Sequence, residues 1–221
     1  MKKTVKNQKS NPVGLVTETI IFAIVFGALA GGFTAYWASG MQTSEHGDLS
    51  KEEKLIKEYY AVENAVLVSP HGFRKHMGEE TNTILVDTRS AEEYSTAHIT
   101  GAVNIPAYAT PDRSDYGAVD RIVGSFKKLQ AENPGKDIIV YCYSTPCMTG
   151  RKIGKMLTEH GIYVKHLGIG WSEWRYYWNM WNHDGETPVN PEAYITSGPE
   201  PGMLNVDLTG KGCPIEGEFG C

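Results

Sequence analysis

Two runs, Thr83-Ile84-Leu85-Val86 and Ile138-Ile139-Val140-Tyr141, are uncharged and almost wholly apolar. A strand that faces water on one side alternates polar and apolar residues; these do not, so each belongs inside a sheet covered on both faces. Ala65-Val66-Leu67-Val68 and Tyr163 to Leu167 read as further strands. Helical spacing fills the stretches between them. From Lys51 to about Asn64, Leu55, Ile56, Tyr59, Tyr60 and Val62 fall on one side; His71–Gly78 and Ala91–Ala97 are short helices. Asp115 is placed to cap another, whose Val119, Ile122, Val123, Phe126 and Leu129 share a face, and Asn133-Pro134-Gly135 ends it. Gly150–His160 and Glu173–Asn182 complete the series. Strands alternating with helices give the fold class, an α/β domain with a parallel sheet and helices on both faces.

The 221 residues allow one domain with additions or two small ones. With 41% hydrophobic residues the chain can build a core, which excludes disorder throughout. Its net charge of −5 lacks the basic excess of nucleic-acid binding, so no nucleic-acid partner is expected.

Residues 1–18 carry Lys2, Lys3, Lys6 and Lys9 and only one acid, Glu18. Thr19 to Ala38 is then free of charge, and 20 residues as a helix span about 30 Å, the thickness of a bilayer core. A transmembrane anchor over 19–38 is expected, with Tyr36 and Trp37 at the headgroups, the N-terminus cytoplasmic and the domain extracytoplasmic. The alternatives are a cleaved signal peptide, for which only Ala38-Ser39-Gly40 fits the cleavage pattern, and a buried core helix. Beyond residue 39 the net charge is −8. Residues 39–61 are a linker and helix, 62–184 the α/β domain, and 185–221 a tail whose 7 Gly and 5 Pro forbid long regular elements.

In an open parallel sheet reactive groups gather where strands end and helices begin. Two loops qualify. One is Asp87-Thr88-Arg89-Ser90; the other runs Cys142-Tyr143-Ser144-Thr145-Pro146-Cys147-Met148-Thr149-Gly150-Arg151. A cysteine between a buried strand and a helix N-terminus faces backbone N–H groups that favour the thiolate, with Arg151 and Lys152 adding positive potential. Set against this is a buried structural thiol.

The run Ile84 to Tyr94 (ILVDTRSAEEY), then His98-Ile99-Thr100-Gly101-Ala102-Val103-Asn104-Ile105-Pro106, resembles the opening motif of rhodanese-like domains. Ile139-Val140-Tyr141-Cys142 is similar to the strand that delivers that family's cysteine, and Leu167-Gly168-Ile169-Gly170 with Trp174 to its closing pattern. The resemblance, over roughly residues 62–182, implies a five-stranded parallel sheet and a sulfurtransferase needing no cofactor. In it Cys142 takes sulfane sulfur from a small donor such as thiosulfate as a persulfide, the amides of residues 143–148 stabilise it, and a thiol or cyanide accepts the sulfur. By the same resemblance Asp87, Arg89 and His98 are structural. The loop departs from the pattern: the family's Arg five residues after the cysteine is here Cys147, and the first Arg is Arg151. That puts phosphatase chemistry in doubt and leaves a non-catalytic binding module or a thiol redox protein as alternatives.

Cys147 lies close enough in sequence for a disulfide with Cys142, and so either resolves the persulfide or packs beneath the loop. Cys213 and Cys221, with Gly and Pro between them, are read as a structural disulfide clip. No metal site is expected, since the spacing matches no zinc motif. Trp171, Trp174, Trp178 and Trp181 recur at helical intervals, as a core stripe beneath the tail or as an exposed docking patch.

Overall fold

The computed structural model describes residues 49–78, 82–182 and 190–204. The chain divides into two compact units, residues 1–56 and 57–221. Of the first, only residues 49–56 are described. There Ser50 and Glu53 cap a helix reciprocally, Ser50 N donating to Glu53 Oε2 (2.7 Å) and Glu53 N to Ser50 Oγ (3.2 Å). This helix, α1 (Lys51–Val66), buries none of its residues, and Leu55, Ile56, Tyr59, Tyr60 and Val62 are all exposed. Among the described residues no helix is long and apolar enough to cross a membrane. The expected anchor at 19–38 and the Cys213/Cys221 clip lie outside the described residues.

The second unit is built on five parallel strands. They are β1 (Leu67–Val68), β2 (Thr83–Asp87), β4 (Val103–Asn104), β7 (Asp137–Tyr141) and β8 (Lys165–Leu167), in the spatial order β1-β8-β7-β2-β4. The helices after α1 are α2 (Pro70–His76), α3 (Ala91–Thr96), α4 (Val119–Glu132), α5 (Thr149–Thr158) and α6 (Trp171–Tyr176). Side chains of the central strands alternate between two cores, as a period of two requires. Ile139 and Tyr141 of β7 face a core with Leu85, Tyr94, Ile99, Leu167 and Trp174, whereas Ile138 and Val140 face one with Val86, Ile122, Phe126, Ile153 and Leu157.

Several boundaries differ from the sequence reading. Ala65 and Val66 end α1, so β1 is only Leu67–Val68. Asp115 caps nothing: α4 begins after Ala118 without a side-chain cap, and the Asp115 carboxylate pairs instead with Arg121 at 3.1 Å. The tryptophan-rich helix stops at Tyr176 and a 3₁₀ turn, Trp178–Met180, follows. The stripe is nonetheless core. Trp174 and Trp178 are buried, and the Trp174 ring stacks on Trp181 with centroids 5.3 Å apart.

Four short strands carry too little pattern to be read from sequence. β5 (Tyr108–Thr110) and β6 (Arg113–Ser114) form a hairpin. β3 (His98–Ile99) pairs antiparallel with β9 (Ile195–Thr196) of the tail. The described part of the tail, 190–204, is thus a strap. Thr100 N donates to the Tyr194 carbonyl (3.1 Å) and Gly198 N to the Ser95 carbonyl (2.7 Å), and Tyr194 is buried over Trp174 and Trp178.

Candidate active site

Asp87 and Tyr141 are register partners at the carboxyl ends of neighbouring strands, so the two loops singled out in the sequence start side by side. The first holds itself together. Asp87 and Arg89, 0% and 2% exposed, form an ion pair with Arg89 Nη2 donating to Asp87 Oδ2 at 2.6 Å. The same oxygen accepts from the Tyr141 hydroxyl at 2.6 Å, and the Tyr141 oxygen accepts from Ile99 N at 3.2 Å. Arg89 also donates to the Ala97 carbonyl (2.7 Å), and its guanidinium lies 4.3 Å from the centre of the Trp171 ring. His98 is fully buried, stacked on Tyr94 and with Nδ1 2.8 Å from the Tyr94 carbonyl. These three side chains join strand, loop and helix.

The second loop carries both thiols. Cys142 is 2% exposed and Cys147 half-buried, each is a free cysteine, and their Sγ atoms are 2.8 Å apart, beyond the roughly 2.03–2.05 Å of a disulfide bond. Backbone contacts fix the curl. Trp171 N donates to the Cys142 carbonyl and Ser172 N to the Tyr143 carbonyl, both at 2.8 Å, so the start of α6 ties down the start of the loop. Glu173 closes the junction, its carboxylate accepting from Gly170 N (3.0 Å) and Thr145 N (3.1 Å). The expected cradle of amides is correspondingly smaller. Thr145 N is taken by Glu173, Cys147 N by the Ser144 carbonyl at 2.9 Å, and Pro146 has no N–H. What faces the sulfurs is the backbone N–H of Tyr143 and of Thr149 together with the Thr149 hydroxyl.

Two thiols in contact share one proton. Contact with Cys147, and then burial, push the Cys142 thiol well above its ordinary range. The lowered pKa expected of Cys142 is therefore not found: the Cys147 contact keeps the shared proton on Cys142, and burial adds to the effect. Cys147 is lowered to about 5, first by the Cys142 contact, against burial, and then by the Thr149 hydroxyl and the Thr149 and Tyr143 backbone. Thr149 is itself held by Tyr108 and Tyr116, whose hydroxyls lie 3.0 and 2.7 Å from its Oγ1. Arg151 does not enter the cradle. Nη1 donates to the carbonyls of Thr145 and Cys147, both at 3.2 Å, which folds the cation back over the outer half of the loop.

Sequence reasoning missed Tyr108, Tyr116, Glu173 and His166. Pro111-Asp112 between short polar strands was the available turn signal for the tyrosine hairpin. Glu173, three residues after Gly170, had the spacing of a helix N-terminal acid. His166 had none. It is 7% exposed, neither ring nitrogen has a hydrogen-bond partner among the described residues, and its ring packs on the backbone of Gly150, where any Cβ would overlap Nε2. Burial and then the Arg151 charge lower its pKa, while the Leu167 backbone and Cys147 pull the other way. Among the described residues no group of three or more His, Cys, Asp or Glu is arranged to hold a metal.

Residues 69–176 match the family model of the rhodanese-like domain. An HTH-type transcriptional regulator of Mycobacterium tuberculosis is 34% identical over 102 residues, 46% of this chain; the match spans only 37% of that protein's length. Among solved structures, a Bacillus halodurans protein is 24% identical with a TM-score of 0.41, covering 55% of this chain and 80% of that one. A rhodanese with anions from E. coli is 21% identical with a TM-score of 0.27, covering 40% of this chain and 86% of that one.

Proposed function

We propose, from the match of residues 69–176 to the rhodanese-like domain, that the chain is a sulfurtransferase, moving sulfane sulfur from a small donor such as thiosulfate to a thiol acceptor through a persulfide on the Cys142–Cys147 loop. The observation that carries the reading is the 2.8 Å contact of two free thiols at the end of β7, before α5. A thiolate there has backbone N–H groups and a hydroxyl to stabilise it, and a second thiol within reach of any persulfide it forms. Thiosulfate added to the reduced full chain should release about one equivalent of sulfite per chain. It should also leave either an adduct of about 32 Da, one sulfur, on the loop peptide or a loop that has lost both thiols to a disulfide. No sulfite, with both thiols intact, would overturn the reading.

The same contact favours a second reading, a dithiol–disulfide redox protein that never takes up sulfur. It predicts loss of both thiols to a disulfide oxidant and no sulfite from thiosulfate. A non-catalytic module predicts neither.

We also propose that residues 19–38 anchor the chain with the domain outside the cytoplasm. The support is in the sequence alone, the uncharged stretch behind four lysines. The full chain made in a bacterial host should stay in the membrane pellet through an alkaline carbonate wash, and protease outside spheroplasts should degrade the domain. Release by the wash, or protection from the protease, would count against it.

A further inference from the structure

The two sulfurs differ in what can reach them. Cys142 lies beneath the loop, 2% exposed, while Cys147 is half-buried between exposed Pro146 and Met148. The Arg151 guanidinium is pinned to the Thr145 and Cys147 carbonyls, on the outer side of the loop. An anionic donor arriving from solvent therefore meets a cation and Cys147 before it can meet Cys142. The attacking thiolate must reach the donor's outer sulfur, and of the two Cys147 is the more exposed to it.

Resting on the sulfur-transfer reading, we infer that Cys147 is the nucleophile that takes sulfur from the donor and Cys142 the buried thiol that resolves it, the reverse of the order that the family resemblance implies. In the first step Cys147 Sγ attacks the outer sulfur of thiosulfate. The donor S–S bond breaks, sulfite leaves with the electron pair, and Cys147 carries –S–S⁻. In the second step Cys142 Sγ attacks Cys147 Sγ while its proton passes to the departing sulfur. The persulfide S–S bond breaks, HS⁻ leaves, and a Cys142–Cys147 disulfide closes. The sulfur has then left as sulfide, and an external dithiol, serving as reductant in place of a sulfur acceptor, reduces that disulfide in two exchanges and is itself oxidised to a disulfide. Sulfide departs far more readily with a proton than as a dianion. The buried thiol is where the pair keeps its one proton, so the proton is stored on the group that must deliver it.

The groups that face the Cys147 thiol are Cys142 and the Tyr143 N–H in the loop, Thr149 of α5 and His166 of β8, with Tyr108 and Tyr116 acting through Thr149 and Arg151 held on the Cys147 carbonyl. With its pKa lowered to about 5, Cys147 should keep its iodoacetamide rate nearly level from about pH 8 to pH 6 and lose half near pH 5. An ordinary thiol, with a pKa of about 8.5, loses tenfold per unit over the same range.

The test uses the reduced full chain and two variants, Cys142→Ser and Cys147→Ser. In the wild type, limited iodoacetamide at about pH 7 should label Cys147 well ahead of Cys142, read by mass spectrometry of the loop peptide. With thiosulfate alone, Cys142→Ser should release one burst of sulfite and hold the added sulfur on Cys147 until dithiothreitol, added afterwards, removes it as sulfide. Cys147→Ser should show a burst at least tenfold slower. Faster labelling of Cys142 in the wild type would overturn the assignment, as would a full-rate burst from Cys147→Ser with none from Cys142→Ser. If the wild type releases no sulfite, the sulfur-transfer reading fails on its own; the alkylation arm still decides which sulfur is the outward nucleophile.

Discussion

Asp87→Ala should cost about 3–5 kcal/mol of stability, the range for breaking a buried ion pair by removing one partner. Arg89, 2% exposed, would keep its charge without its ion-pair partner, leaving only the weaker influence of Glu93, and the Tyr141 hydroxyl and Arg89 N would lose the acceptor they use at 2.6 and 2.8 Å. Against a typical total of about 5–15 kcal/mol, that brings the domain close to unfolding at room temperature. Urea unfolding followed by tryptophan fluorescence measures it, since Trp174 and Trp178 are buried in the core that Tyr141 shares. A loss below about 1 kcal/mol would show that the network is not what holds this corner. The functional consequence follows from position: Tyr141 precedes Cys142, so loosening its hydroxyl anchor loosens the root of the reactive loop.

Gly170→Ala is expected to cut the reactivity of the thiol pair by about 10²-fold, the order of loss that goes with a misplacement of about 1 Å in a reacting group. The backbone at Gly170, with φ −112°, suits alanine, so the effect is not one of conformation. An added Cβ would overlap the backbone of Tyr143 and Ser144, which cannot rotate away as a side chain can. Either the loop or α6 must move, and the Trp171 N and Ser172 N bonds that hold Cys142 and Tyr143 move with it. The stability cost should be about 1–3 kcal/mol, as for other overpacked sites. Gly168→Ala is the control, because its Cβ would meet nothing closer than the Val68 carbonyl at 3.3 Å. Alkylation and sulfite-burst rates of the three proteins measure the difference. Rates for Gly170→Ala within a factor of two of the wild type would mean that the loop does not depend on this contact.

Much of the sheet was legible because its strands bury both faces. Leu85, Val86 and Ile138 to Tyr141 leave no polar side to expose, so the local pattern alone marks β2 and β7 and puts Cys142 at a strand end. The face of α4 was legible for a related reason, since Ile122, Val123 and Phe126 recur at helical spacing and are buried. Two-residue strands such as β3, β4 and β9 have no period to read; they exist because a partner lies alongside. Asp115 had the residue type of a cap without the role, since its place beside Arg121 depends on where the preceding loop runs.

The candidate site divides in the same way. From sequence came two cysteines in one tight loop, the missing Arg and the displaced Arg151, all of them facts of residue type and spacing. Which sulfur carries the charge did not, because it turns on a 2.8 Å contact and on one sulfur being sealed while the other is not. Nor could spacing reveal that Thr145 and Cys147 spend their amides elsewhere, or that His166 from a distant strand packs beneath Gly150. The sequence by itself determined the α/β class, the two buried strands and the loop that bears the thiols, because hydrophobic periodicity is written locally in the chain. Only the tertiary structure decided which thiol is outermost and how the tail straps the core, because burial, proton sharing and strand pairing are properties of groups brought together from far apart along it.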